Sequence, residues 1–460
     1  MALRIGATTT ALLVLGSVVA CSGKESNGSA AGERNGAASA TQGGSTAATS
    51  AAATQCASDN GGITLPHGFC ASVFADSVGG ARHVAVAPNG DVYVMLATAP
   101  KSAEAGSSKT GGVLAMRDTN HDGKADVTQS FGTLGGTGVA LRGDALYVDA
   151  RTAILRYTLP AGALVPTAAP DTVVKELPTG GHAARNMALD SAGALYVNVG
   201  SPTNSCQVKD RQKESPGKNP CDELKTRAGI WKCSASGHDQ TETNGCARLA
   251  TGIRNAVGLA IDPANGKLYA TQHGRDQLFQ NWPKYYTAQD GAEKPAEELF
   301  QPQQGDDYGW PYCYFDPAQR RLMLAPEYGG NGKTVGQCAQ KKGPLVYFPG
   351  HWAPDGLTFY AASAFPAHYR NGAFIAFHGS WNRAPEPQAG YKVVFVPMSS
   401  GGVPSPNYET FADGFAGSTG PLKQPNEARH RPVGVAVGPD GALYVTDDAG
   451  GRIWKIVYRQ

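Results

Sequence analysis

The sequence predicts an all-β fold, a six-bladed β-propeller, on three observations. A two-strand phrase recurs six times, the copies lie roughly 50–100 residues apart, and helical periodicity is almost absent outside 285–300. The copies are HVAVAPNGDVYV from His83, VALRGDALYV from Val139, MALDSAGALYV from Met187, GLAIDPANGKLYA from Gly258, GLTFYAASAFPAHYRNGAFIA from Gly356 and GVAVGPDGALYV from Gly434. Each sets alternating apolar residues around a turn, in most copies an NG, GD or DG pair, the pattern of a β-hairpin with one face buried. The spacing leaves room for four strands per unit, and six units close a ring. A β-solenoid is the competing architecture. Its coils stack with a tighter and more regular period than this one.

The N-terminus stands apart from the repeats. Arg4 precedes an apolar run of about 10 residues, 11–20, too short to span a bilayer. The run ends in Val18-Val19-Ala20-Cys21, the form of a lipoprotein leader, with ordinary secretion as the alternative. Residues 1–20 are thus read as a signal peptide and Cys21 as the lipidated first residue. Residues 21–55, rich in Ala, Gly, Ser and Thr, have too little apolar surface to offset their ordering entropy and read as a tether. The propeller domain is 56–460. The expected location is the cell envelope, by a lipid anchor, on the periplasmic side and in the outer membrane where the cell is Gram-negative.

Nine cysteines are present. With Cys21 lipidated, eight remain, an even number suited to disulfides in an oxidising compartment. Eight cysteines allow 105 pairings. Their clustering favours neighbours, Cys56–Cys70, Cys206–Cys221, Cys233–Cys246 and Cys313–Cys338, each closing a local loop worth roughly 2–4 kcal/mol. None has the spacing of a zinc or haem site. The formal net charge of +2 gives no case for nucleic-acid binding, and no later segment is apolar enough to cross a membrane as a helix.

In a propeller, the segments flanking each inner hairpin gather at one end of the channel. Here they are polar: GGHAARN ending at Asn186, GIRN ending at Asn255, QHGRD ending at Asp276, GDDYGWP ending at Pro311, GHW ending at Trp352, HGSWNR ending at Arg383 and RHRP ending at Pro432. Arginines there suit bidentate binding of carboxylates, and a histidine suits general-base work. The bland alternatives are inter-blade ion pairs for the arginines, structural hydrogen bonding for His182, His273, His351, His378 and His430, and packing for Trp310 and Trp381.

GIRNAVGLA, GDDYGWPYCYF, FIAFHGSWNR with GYKVVFVP, and RPVGVAVGPDGALYVTDD, in that order over residues 60–458, resemble the glucose/sorbosone dehydrogenase family, its sorbosone branch more than its glucose branch. The resemblance implies a six-bladed propeller that oxidises a sugar or related alcohol, with pyrroloquinoline quinone (PQQ) and calcium as cofactors and an envelope electron acceptor as partner. It implies that His182 removes the hydroxyl proton, that Arg254 and Asn255 sit beside the quinone carbonyls, with Arg254 also catalytic, and that the backbone carbonyls of Gly274 and Arg275 hold the cofactor calcium. Arg429 and Arg431 match a pair facing the quinone carboxylates. Trp381, Asn382 and Arg383 lie where some members contact the cofactor through a lysine, which this chain lacks. Two more departures bear on substrate: Gly181 replaces an Asp, and Gly135-Gly136-Thr137-Gly138 offers no counterpart to a Gln. A calcium-dependent hydrolase of the lactonase type and a non-catalytic binding propeller are the alternatives. The first of these calls for carboxylates and amides, rather than Arg and His, around the channel.

A second metal candidate lies elsewhere. Asp118, Asn120, Asp122 and Asp126 occupy positions 1, 3, 5 and 9 of a calcium-loop pattern, with Gly123 at position 6 and Gln129 where a Glu is usual. A tight turn held by its own side-chain hydrogen bonds accounts for the same residues.

Overall fold

A computed structural model describes residues 54–97, 111–399 and 401–459. The leader, Cys21 and nearly all of the tether lie outside the described residues. Each repeated phrase forms the inner hairpin of one four-stranded antiparallel blade. Blade 1 comprises Ala81–Val86, Val92–Leu96, Gly112–Arg117 and Val127–Phe131. Blade 2 comprises Val139–Arg142, Ala145–Asp149, Ile154–Thr158 and Asp171–Val174. Blade 3 comprises Met187–Leu189, Ala194–Val199, Gly229–Ser234 and Ala247–Thr251, and Asp306–Asp307 adds a short parallel edge to it. Blade 4 comprises Leu259–Ile261, Leu268–Gln272, Glu297–Phe300 and Val346–Phe348. Blade 5 comprises Pro354–Tyr360, Gly372–Phe377, Lys392–Val396 and Glu409–Ala412.

Blade 6 joins both ends of the domain. Pro432–Val437, Leu443–Asp447 and Ile453–Tyr458 supply three strands, and Phe69–Ala75 supplies the fourth, in register from Phe69 opposite Tyr458. This closure joins both ends of the domain within one blade, and it sets the solenoid alternative aside. The cores lie between blades. Between blades 5 and 6, Phe69 meets Phe365, Tyr369 and Phe411 edge to face with ring centroids 4.8–5.2 Å apart.

Four disulfides join Cys56 to Cys70, Cys206 to Cys221, Cys233 to Cys246 and Cys313 to Cys338. Two of them brace insertions above the channel. Cys206–Cys221 closes the excursion after Ala194–Val199. Cys313–Cys338 ties down a small hairpin, Cys313–Asp316 with Arg321–Leu324, inserted within blade 4. The insertions pack on each other: Tyr328 Oη donates to Ser205 O at 3.2 Å and the Trp310 indole N–H to Asn204 O at 3.0 Å. Among the described residues, α-helix is confined to Leu278–Asn281 and Ala288–Glu293, the second inside the region where the sequence leaves room for it.

Candidate active site

Because both ends of a hairpin fall at one end of its blade, the segments before each first strand and after each second strand meet at the same mouth of the channel. They form a cleft of about 490 Å³ lined by His182, Arg211, Arg254, His273, Gly274, Asp276, Glu297, His351, Ala353, Trp381 and Asn382. Blades 3, 4 and 5 and the disulfide-braced insertion all contribute.

His182 is fixed by its neighbour Ser201. Its Nδ1 lies 2.9 Å from Ser201 O and 3.0 Å from Ser201 Oγ, and Ser201 Oγ itself donates to Thr203 O at 2.7 Å. Both Ser201 oxygens therefore offer lone pairs to Nδ1, which carries the proton and leaves Nε2 as the open acceptor. Burial, followed by the nearby positive charge of Arg254, pushes the His182 pKa down to about 3. The ring is neutral at ordinary pH. Gly200 makes this approach possible: a Cβ there would lie 2.4 Å from His182 O and 2.8 Å from His182 Cβ. Gly200→Ala is expected to displace the base and lower kcat by about 10²-fold with little change in cofactor affinity, read from steady-state kinetics and a quinone titration.

Asp276 is the hub of the opposite wall. Its Oδ2 accepts from Arg254 and Arg211, each at 2.9 Å, and its Oδ1 from Asn382 Nδ2 at 2.8 Å. Burial works against the charged carboxylate, but Arg254, His351 and Arg211 outweigh it and hold Asp276 well below the usual carboxylate range. Arg254 is also fixed by Asn204 O at 3.1 Å, Asn204 Oδ1 at 3.0 Å and Gly274 O at 2.8 Å. Arg211 extends under the half-exposed ring of Trp381, its guanidinium carbon 5.9 Å from the ring centroid.

Glu297 lines the floor, and Glu298 lies beneath it. Glu297 accepts the Gly274 N–H at 3.1 Å, and burial pushes its carboxyl up to about 7. Glu298 accepts from Gln272 at 3.0 Å, while Gln272 Oε1 accepts the Arg254 N–H at 2.7 Å. Burial raises Glu298 to about 8. A raised carboxyl contributes stability that is complete below the unfolded value and is lost as pH rises through the folded one. Glu298→Gln is therefore expected to raise Tm at pH 8 and to change it much less at pH 4.5, checked by thermal melts at the two pH values.

Across the channel mouth runs a chain of ionisable groups from blades 4, 5, 6 and 1. His273 Nε2 lies 2.9 Å from Asp355, His378 Nε2 lies 2.8 Å from Asp448, and Arg82 spans Asp448 at 2.6 Å and Asp355 at 3.3 Å. A second cleft, of about 770 Å³, lies beyond the His182 loop and is bounded by Arg82, Gly136, Asp149, Gly180, Ala183 and Asp448 among others. The glycine departures noted in the sequence fall here and next to it. A Cβ at Gly136 would lie 2.1 Å from Asp149 O, and one at Gly181, with φ +59°, would lie 2.4 Å from Pro202 Cα and O. Neither position admits a side chain as the backbone stands.

Of the residues singled out in the sequence, the cleft brings together His182, Arg254, His273, Gly274, His351, Trp381 and Asn382. Others are engaged elsewhere. Asn255 is buried behind Gly200, and its carbonyl accepts from the His273 N–H at 3.0 Å. The Arg275 side chain turns away to pair with Glu327 at 2.6 Å, so only its backbone is available to the cleft. Arg383 spends its guanidinium on the carbonyls of Ala292, Gly350 and Pro387. Arg431 does so on those of His378 and Gly379. Arg429 is exposed and packs on Gly417. The expected Arg429–Arg431 clamp thus does not line this cleft; Arg211 and Arg254 supply its cations. Trp310 is a packing residue. Asp306 and Asp307 pair with Lys342 and Lys341. His430 is buried against Asp447 at 2.7 Å. Ser201, Asn204, Arg211 and Glu297 carry no signal in the repeated phrases. The one hint is that Cys206 and Cys221 staple a polar insertion beside them.

Comparisons with known proteins agree with this architecture. An uncharacterized protein of Borreliella burgdorferi is 32% identical over 213 residues, 46% of this chain and 49% of that one. The pyrroloquinoline quinone-dependent pyranose dehydrogenase of Coprinopsis cinerea is 28% identical over 295 residues, 56% of this chain and 37% of that one. The chain thus spans about half the length, or less, of these curated relatives. The calcium structure of the Trichoderma reesei carbohydrate-active enzyme of family AA12 superposes with a TM-score of 0.68 at 20% identity, covering 86% of this chain and 97% of that one. The family model described as TrAA12-like matches residues 63–459, end to end with the six blades, and the chain belongs to that family.

Proposed function

We propose that the chain is a PQQ-dependent dehydrogenase that oxidises a sugar or a related aldose or alcohol. The observation that carries this reading is His182, a neutral imidazole whose Nδ1–H is anchored on Ser201 and whose Nε2 is open at a cleft walled by Arg254 and Arg211. The named activity of the Coprinopsis relative and the calcium in the AA12 structure support the same chemistry.

The donor set fits the two cofactors. Arg254 and Arg211 are guanidiniums suited to a planar, carboxylate-bearing quinone, and the half-exposed Trp381 ring offers it a flat face. The carbonyls of Gly274 and Arg275 would hold calcium, Gly274 O by the lone pair left beside its Arg254 hydrogen bond, with Glu297 fixing the Gly274 N–H. PQQ, when bound, accepts the hydride that leaves the alcohol carbon. The chain does the rest. His182 Nε2 takes the hydroxyl proton as the C–H bond breaks, so the carbon ends as a carbonyl and two electrons leave with the hydride. Ser201 keeps Nδ1 protonated, which leaves Nε2 as the acceptor in every turnover. Arg254, held by four oxygens of Asn204, Gly274 and Asp276, presents a fixed positive charge to the oxygens that gain electron density. The lactonase alternative would need a ring of free carboxylates; of the two in the cleft, Asp276 is committed to Arg254, Arg211 and Asn382, which leaves Glu297 alone.

The electron acceptor belongs to the cell envelope on this reading, and lipidation at Cys21 would keep the enzyme beside it. The test is dye reduction by the purified chain loaded with PQQ and calcium, across aldoses, sorbosone and simple alcohols. Turnover that requires both cofactors supports the proposal. A chain that binds PQQ and oxidises none of these compounds overturns it.

A further inference from the structure

The turn joining Gly112–Arg117 to Val127–Phe131 plays no part in that chemistry. The first strand of blade 1 leaves the cleft end, so the turn between its third and fourth strands lies at the opposite end of the ring. The turn carries Asp118, Asn120, Asp122, Gly123 and Asp126.

Its internal hydrogen bonds are those of a closed loop. Gly123 N–H donates to Asp118 Oδ2, Asp122 N–H to Asn120 Oδ1 and Lys124 N–H to Asp122 Oδ1, each at 2.9 Å, and Thr119 N–H donates to Asp126 Oδ2 at 2.7 Å. A plain tight turn would make the same bonds. It would not explain Asp118 Oδ1. The Asp118 side chain is only 7% exposed, and Oδ1 is shielded from solvent and accepts no hydrogen bond. Oδ1 belongs to the same carboxylate whose Oδ2 accepts the Gly123 N–H, so it lies beside the loop backbone. Lys455 Nζ stands 3.9 Å from Oδ2 but bonds Asp440 at 2.9 Å, so it leaves Oδ1 unsatisfied. A buried carboxylate oxygen without a donor is costly unless a cation meets it.

We propose that residues 118–126 bind a calcium ion, with Asp118 Oδ1 as the buried ligand and the side-chain oxygens of Asn120, Asp122 and Asp126 around it. Three carboxylates and an amide, all hard oxygen donors, select Ca²⁺ over transition metals. The ion has a structural task. The same loop is tied to the strand that closes the ring: Ser72 Oγ donates to Gly123 O at 2.8 Å, Ala125 N–H to Phe74 O at 2.9 Å, and Gln55 N–H to Asp122 O at 2.7 Å. Calcium would pin blade 1 to blade 6 across the seam where both ends of the domain meet.

The test uses the full chain, stripped with a chelator and kept free of PQQ, so its result does not depend on the dehydrogenase reading. Calcium uptake is measured by equilibrium dialysis and Tm by calorimetry, for wild type, Asp118→Ala and the exposed-site variant Asp126→Ala. Wild type should take up about one calcium per chain more than either variant. Its calcium-induced rise in Tm, expected at about 3 °C or more, should largely vanish in both. Asp126→Ala keeps the test open if Asp118→Ala does not fold. Equal calcium uptake and an equal rise in Tm in wild type and the folded variants would overturn the proposal.

Discussion

His182→Ala should lower kcat by about 10²–10⁴-fold while leaving PQQ affinity within a few-fold of wild type. The variant removes a neutral base whose acceptor nitrogen faces the cleft. It removes no group that bonds Arg254 or Arg211, so the walls that would hold the cofactor are left standing. His182→Gln should be nearly as slow, because an amide can accept a hydrogen bond but takes no proton at neutral pH. Dye-reduction kinetics beside a quinone-binding titration separate the outcomes. A variant that loses PQQ together with activity would mean that His182 acts in binding, and a variant with unchanged kcat would remove it from the mechanism.

Asp276→Ala should be the most damaging single change in the cleft. It leaves the Arg254 guanidinium buried without its carboxylate and frees Arg211 and Asn382 from their shared anchor. Breaking one side of a buried ion pair typically costs about 3–5 kcal/mol. The expected result is a large fall in the midpoint of denaturant unfolding and loss of PQQ retention. Asp276→Asn should recover part of the stability through its remaining oxygen and little of the electrostatics. A stable, PQQ-binding Asp276→Ala variant would show that Arg254 is held by Asn204 and Gly274 alone.

The blades were legible in the sequence because each inner hairpin announces itself twice, by period-2 alternation and by its turn. The closing strand Phe69–Ala75 was not. It has no nearby partner, and it pairs with Ile453–Tyr458 at the far end of the domain. The site was legible to the extent that its residues flank the repeated phrases: His182, Arg254, Gly274, Trp381 and Asn382 all do, and all line the cleft. Spacing could not say which way a long side chain turns. Arg383 and Arg431 stand in the right loops, yet their guanidiniums are taken up by loop carbonyls. Arg211 does reach the cleft, from an insertion outside the phrases, and meets Asp276 65 residues further along the chain. Ser201 was hidden for another reason. It orients His182 through its carbonyl and hydroxyl together, which any Ser after a strand could do. Only the fit of Gly200 against His182 gives it away.

The most direct measurement is anaerobic mixing of the PQQ- and calcium-loaded chain with excess aldose, followed by absorbance of the bound quinone. The account predicts complete reduction of the quinone, with about one sugar oxidised per bound PQQ, slowed by about 10²-fold or more in His182→Ala. A loaded wild-type chain whose quinone stays oxidised with every sugar and alcohol offered would contradict it.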